Sequence, residues 1–356
     1  MENNHVVIMA GGIGSRFWPM STPERPKQFI DVLGKGRTLL QATADRFQGI
    51  CPPENRWVVT SRHYRDLVKS QLPEVPESHI LLEPCMRNTA PCVAYAVWKI
   101  KKKFPSANLV VTAADHLVTD TEEFKRVIRK GLEFTEKEDR ILTLGMFPTR
   151  PETGYGYIKI KAEGTGEERE IGEVEEFKEK PDRQTAEKYL REGGYTWNAG
   201  IFLWNVKTVE HAFRLFQPRM AAIFDELEED LYTDREQETV DRYFPACEKI
   251  SVDYAILERA RNIYVFPADF GWSDLGTWGS LSEHAGKDEE GNAVIGKGVK
   301  TVECRDCMVQ VSGLKKVVLQ GLDGYIVAER DGVLLICKKE EEQRIKEFSQ
   351  PESGKE

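Results

Sequence analysis

The sequence predicts an α/β fold, a mostly parallel sheet with helices on both faces, followed by a small all-β region. Three observations carry this expectation. Short β-rich runs alternate with amphipathic stretches from the N-terminus to about residue 146, and such alternation builds parallel βαβ units. From about residue 150 to 205 the pattern changes to hairpin-like strands. After Asn292 the text becomes short apolar runs every eight to ten residues, separated by Gly or charged residues.

Taken in order, Val6–Ala10, Arg56–Thr60, Ile80–Leu82, Asn108–Ala113 and Ile141–Met146 read as strands, each bounded by polar, Gly or Pro residues. Between them Leu39–Phe47, His63–Gln71, Thr89–Lys103 and Thr121–Phe134 space their apolar residues at the helical period. The segments GYGYIKI and GEVEEFKEKP then flank an acidic turn as a hairpin. Helices return between Lys207 and Arg259, with a strand at Ile263–Pro267. The runs AVIG, KTVE, MVQV, KVVLQ, YIVAE and VLLICK read as a small sandwich or β-solenoid. A charged tail from Lys338 predicts a last surface helix and a frayed end. The expected linear division is 1–290, 291–337 and 338–356.

Composition narrows the function. Against 50 Lys and Arg stand 59 Asp and Glu, a formal charge of −9, which disfavours a nucleic-acid binder, since phosphate affinity needs a net basic face. Anionic small molecules then require a local basic cluster. No apolar run approaches the roughly 20 residues of a membrane span. The opening MENNHVVIMAGG lacks a basic leader region and runs into a strand, so it does not read as a signal peptide. Seven scattered cysteines point to a reducing, cytoplasmic setting rather than a disulfide framework.

Five segments carry chemistry. In GGIGSRFWPMSTPERPK, which follows a strand, clustered glycines let backbone N–H groups approach phosphate oxygens. The segment is neither a Walker A loop nor a dinucleotide fingerprint, because Phe17 stands where the third glycine would fall. Arg16, Arg25 and Lys27 add local positive charge, and Pro19, Pro23 and Pro26 forbid a continuous helix. In VVTAADH, Asp115 ends an apolar strand and would serve either a ligand or a helix N-cap. Asp274, in FGWSDLGTW, could join it around Mg²⁺, which takes one or two protein carboxylates plus substrate phosphates. Lys180, in FKEKP, is expected to be extended because Pro181 follows. In WNAGIF, Gly200 inside a strand marks either a ligand's close approach or a bulge.

Together GGIGSRFWPMS…PKQF, EPCMRNTAP, TAADH, TGYGYI, FKEKP, WNAGIF, DYAILE and GWSDLGTW resemble, in order and over nearly the whole chain, the mannose-1-phosphate guanylyltransferases of the sugar nucleotidyltransferase family. The resemblance implies a Rossmann-like nucleotidyltransferase sheet with a short left-handed β-helix-like C-terminal domain. It implies reaction of GTP with mannose 1-phosphate to give GDP-mannose and pyrophosphate with Mg²⁺. Carried onto this chain, Gly11, Gly12, Gly14 and Ser15 would cradle the triphosphate, with Arg16 and Lys27 neutralising charge as pyrophosphate leaves. Glu83 and Asn88 would read guanine, an ionised Glu83 accepting from N1–H and the N2 amino group. Asp115 and Asp274 would hold the metal. Lys180 would grip the sugar phosphate, while Glu179, Asn198 and the backbone near Gly156 would bind its hydroxyls.

The nucleophile of such a reaction arrives already ionised, so no Ser–His or Cys–His pair is needed. The histidines are scattered. Cys304 and Cys307 form a single C-x-x-C, better read as neighbours in a β turn than as a zinc site. Two alternatives stay open: a sister enzyme with another base or sugar, and a non-catalytic sugar-nucleotide sensor. The retained Arg16, Lys27, Asp115, Lys180 and Asp274 favour an enzyme. The exposed β region offers a surface for a homodimer.

Overall fold

The computed structural model describes residues 3–136, 139–161 and 171–349. The acidic turn expected around 162–170 and the chain beyond 349 lie outside these. The chain divides into two compact units: residues 1–11, 44–114 and 118–272, and residues 12–43, 115–117 and 273–356. This differs from the linear division at 290, because the Gly-rich segment and the aspartate after the fourth strand group with the C-terminal region.

In the first unit the aliphatic runs form β1 (Asn4–Met9), β2 (Arg56–Ser61), β3 (Ile80–Glu83), β4 (Asn108–Ala113) and β5 (Ile141–Met146). The insert supplies β6 (Tyr157–Ile160), β7 (Gly172–Lys178) and β8 (Tyr195–Asn205), and β9 (Ile263–Ala268) completes one nine-stranded sheet. Its order is β3-β2-β1-β4-β8-β5-β9-β7-β6. β1, β2, β3 and β4 pair in parallel, as do β5 and β9. β8 runs antiparallel to both β4 and β5, so the sheet is mixed, a correction to the mostly parallel expectation. Burial on both faces suits β8, an almost unbroken buried run, to an interior position, while its direction is that of the insert, whose β6 also pairs with it antiparallel.

Helix α1 (Leu39–Arg46) follows the Gly-rich segment, and α2 (Arg65–Gln71), α3 (Thr89–Lys103) and α4 (Thr121–Thr135) follow β2, β3 and β4. α3 is capped by Asn88, whose side chain accepts from Thr89 N–H. Its residues Ala90 to Ile100 are all buried, within a core that includes Trp57, Trp98, Trp204, Phe213 and Phe224.

The second unit has its own core, in which Phe17, Met20, Ile30 and Val32 pack with Leu275, Trp278, Met308, Ile326 and Ile345. Strands β10 (Ala293–Ile295), β11 (Val299–Val302), β12 (Met308–Val311), β13 (Val317–Gln320) and β14 (Tyr325–Arg330) pair in parallel one coil apart, β10 with β12, β12 with β14 and β11 with β13. β15 (Val333–Lys338) turns back antiparallel on β14. Among the described residues the last element of the tail is a short helix, Ile345–Phe348, but Ile345 is fully buried. The expected surface helix is therefore anchored in the core. Cys304 and Cys307 are free and buried in the coil. No helix among the described residues is long and apolar enough to cross a membrane.

Candidate active site

The segment after β1 enters the second unit at Gly12. Gly14 has a left-handed backbone (φ 69°), and a Cβ there would lie 2.6 Å from Lys27 Cβ. Only glycine fits both demands. Ser15 and Arg16 follow on an exposed 3₁₀ turn, and Arg16 has no ion-pair partner among the described residues. Arg25 leaves the basic group, because its guanidinium bonds Asp331 at 2.7 Å.

Lys27 is buried, and its ammonium donates to Asp115 Oδ2 at 2.8 Å and to the carbonyls of Asp274 and Leu275 at 3.0 and 2.9 Å. Its three protons are thus committed within the chain, and one ammonium ties the Asp115 and Asp274 segments together. Asp115 is not a helix cap; that place belongs to Asp120, which accepts from Glu123 N–H. Burial would raise the Asp115 pKa, but the Lys27 and His116 charges outweigh it and hold it below the usual range. Asp115 is therefore an anion, with about a third of its side chain exposed. Asp274 Oδ1 accepts from Gly276 N–H at 2.9 Å.

Among the described residues no group of three or more His, Cys, Asp or Glu could hold a metal. A closed protein cage is thus not formed by them. Lys27 bonds the carboxylate of Asp115 but only the main-chain carbonyl of Asp274, so a pairing of the two carboxylates around a hard divalent cation, completed by phosphate and water, rests on the resemblance.

In the first unit, Glu83 ends β3 and lies against Gly11, where a Cβ would come within 3.2 Å of Glu83 Oε2. The carboxyl is 7% exposed, and its Oε1 has no hydrogen-bond partner among the described residues. Burial raises its pKa to about 8. The donors of a bound base would have to offset this desolvation for Glu83 to ionise. Asn88, exposed, spends its side-chain oxygen on the α3 cap.

A second group in the same unit gathers Gly156, Glu179, Lys180 and Asn198. A Cβ on Gly156 would lie 2.5 Å from Glu179 Oε2 and 3.3 Å from Asn198 Cβ. Lys180 Nζ donates to Glu179 Oε1 at 2.6 Å, and the half-exposed ammonium is left facing solvent. The Lys180 backbone is left-handed (φ 46°) rather than extended, a correction to the Pro181 argument. Asn198 accepts from Thr143 and Gly200 and donates to Asp253 Oδ1 at 2.8 Å. The β5–β8 register shifts between Thr143 and Gly145, so this stretch is the bulge alternative.

Asp253 is the residue missed in sequence, although DYAILE contains it. It opens a π-helical turn, Asp253–Leu257, a local form often found at functional positions. Burial raises the pKa of Glu179, reinforced by Asp253, and burial likewise raises that of Asp253. For Lys180 burial works against the charge, but Glu179 and Asp253 outweigh it and its pKa is raised. Lys180 is a firmly charged cation.

A family model described as nucleotidyl transferase matches residues 5–291. Mannose-1-phosphate guanylyltransferase of Escherichia coli (strain K12) is 36% identical over 341 residues, covering 92% of this chain and 70% of that protein. Mannose-1-phosphate guanylyltransferase RfbM of Salmonella typhimurium (strain LT2) is 34% identical over 339 residues, again covering 92% and 70%. A crystal structure described as mannose-1-phosphate geranyltransferase from Thermus thermophilus matches with TM-score 0.86 and 31% identity, over 97% of this chain and 98% of that one.

Proposed function

The chain belongs to the nucleotidyl transferase family, in its mannose-1-phosphate guanylyltransferase branch, and from that premise we propose that it transfers GMP from GTP to α-D-mannose 1-phosphate. The products are GDP-mannose and pyrophosphate. What carries the reading is the likeness to guanylyltransferases over nine-tenths of the chain, 36% identical in one case. The left-handed turn of the C-terminal coil, a homodimer through it, and a cytoplasmic site of action belong to the same proposal.

In the mechanism, an oxygen of the sugar phosphate attacks the α-phosphorus of GTP in line, and the bond to the β-phosphate oxygen breaks. The nucleophile is already anionic, so the protein's task is positioning and charge balance rather than proton removal. Lys180 orients the sugar phosphate with its exposed ammonium, while Glu179 and Asp253 keep it charged. Gly156 leaves room beside Glu179 and Asn198 for the sugar's hydroxyls. Gly12, Gly14 and Ser15 offer backbone donors to the triphosphate, and Arg16, exposed and unpaired among the described residues, neutralises the departing pyrophosphate. Lys27 acts through Asp115 and Asp274, which would hold Mg²⁺. When bound, that ion supplies Lewis-acid charge stabilisation to the phosphate oxygens. Glu83 meets the Watson–Crick edge of guanine after losing its proton, with Asn88 and its backbone alongside.

Crossing four nucleoside triphosphates with several sugar 1-phosphates, and measuring pyrophosphate release, tests the proposal. GTP with mannose 1-phosphate should give the highest kcat/KM. A higher value for any other pair would replace it with a sister activity, and no turnover with any pair would favour a sensor.

A further inference from the structure

Asn88, the residue before α3, has a backbone that suits glycine. Its φ is 67° and its ψ −170°, a region that residues with a Cβ enter only under strain. Capping the helix does not account for it. Asp120, Asp182 and Asn205 cap the helices that follow them from extended backbones, each accepting from the N–H three residues on. Asn88 reaches only the adjacent Thr89 N–H, at 2.8 Å.

A strained conformation persists where its surroundings over-determine it. Here the residues flanking Asn88 are tied to one distant segment, 245–252. Arg87 Nη2 donates to Pro245 O at 2.5 Å, Ala90 N–H to Ile250 O at 3.1 Å, and Val252 N–H to the Thr89 hydroxyl at 2.9 Å. That segment is itself anchored. Cys247 and Val252 belong to the same buried core as Ala90 and Val93, and Asn198 holds Asp253, the next residue, at 2.8 Å.

We propose that residues 245–252 are a strap that holds the Arg87–Asn88 turn in its strained form, and that this fixed turn sharpens base selection. Thr89 is then a positioning residue, acting through Asn88 rather than touching the base. The inference rests on the reading that sets Glu83 and the Asn88 backbone beside guanine. A turn held at one conformation leaves a mismatched base with unpaired groups, whereas a relaxed turn shifts to meet it. Strain at this position therefore costs stability and gains discrimination.

Steady-state kinetics of the full chain with GTP and with ATP, at saturating mannose 1-phosphate, test the strap. Thr89→Val keeps the shape but removes the acceptor of Val252 N–H. The ratio of kcat/KM for GTP to that for ATP should fall about tenfold, with KM for mannose 1-phosphate unchanged. Thr89→Ser, which keeps the hydroxyl, should retain the wild-type ratio. Asn88→Gly accepts the conformation without strain, so the ratio should fall while the denaturation midpoint holds or rises. Should Thr89→Val fail to fold, that opposed change in Asn88→Gly decides alone. A GTP-selective wild type whose ratio is unchanged in Thr89→Val, equally lowered in Thr89→Ser, or accompanied by a lower midpoint in Asn88→Gly would overturn the strap alone. A wild type with no preference for GTP would overturn the guanylyltransferase reading and the strap with it.

Discussion

Lys27 and Lys180 are both ammonium groups held by a neighbouring carboxylate, but the buried partner is opposite in the two. The Lys27 side chain is 4% exposed and that of Asp115 35%, whereas Lys180 is 54% exposed and Glu179 only 5%. In the first pair the cation is the strut and an acidic oxygen faces outward. In the second the carboxylate is the strut and a cation faces outward. An outward carboxylate suits a divalent metal, and an outward ammonium suits a phosphate monoester. The same kind of ion pair is thus turned inside out in the two places.

Replacing the outward member of each pair should stop chemistry without unfolding the protein. Asp115→Asn keeps the shape and removes the charge, and turnover should fall by about 10²–10³, with EDTA giving a comparable loss in the wild type. Wild-type turnover in this variant, or full activity with the chelator, would detach Asp115 from the metal. Lys180→Ala should lower turnover by about 10² and raise KM for mannose 1-phosphate, with GTP binding unchanged in a direct titration. Unaltered sugar-phosphate kinetics would reduce Lys180 to a solvated loop lysine.

Replacing a buried member sharpens the contrast. Lys27→Met strips partners from Asp115 and two carbonyls, and should lower the unfolding free energy by roughly 2–4 kcal/mol along with turnover. Lys180→Met should leave the denaturation midpoint near the wild-type value. Equal midpoints for both methionine variants would mean that Lys27 is no strut.

Glu83 gives the smallest effect and the clearest pH signature. Its folded pKa of about 8 lies above that of an unfolded glutamate, so between about pH 4.5 and 8 the native state holds a proton that the unfolded chain has released. Its contribution to stability is complete below that window and is lost as the pH rises through it. Guanine binding, which uses the carboxylate, should strengthen over the same range. Glu83→Gln should flatten both profiles and lower GTP efficiency about tenfold, narrowing the gap to UTP and dTTP. Retention of the wild-type nucleotide ratios would pass the role of base reader to the backbone around Asn88.

Much of this was legible in the chain because it depends on near neighbours. Apolar period and flanking Gly, Pro or Asn located β1, β3 and β4, the strands that lead into the Gly-rich segment, Glu83 and Asp115. The clusters in GGIGSR, TAADH and FKEKP pointed to groups the structure gathers locally, Gly14 with Lys27 and Gly156 with Glu179. Asp253 escaped, although DYAILE was in view, because nothing nearby in sequence reveals that it meets Asn198, 55 positions earlier.

By itself, then, the sequence determined the elements, the phosphate-seeking character of the Gly-rich segment and the kinship with guanylyltransferases. These follow from side-chain period, turn chemistry and the order of short segments, all properties of residues close along the chain. Tertiary structure alone decided that β8 enters the sheet between β4 and β5, that Arg25 is consumed by Asp331 and that Lys27 is buried while Lys180 is not. It also decided that burial pushes the Glu83 carboxyl up to about 8. Those outcomes depend on desolvation and on charges brought together from distant positions, and no local pattern encodes how much water a side chain will lose.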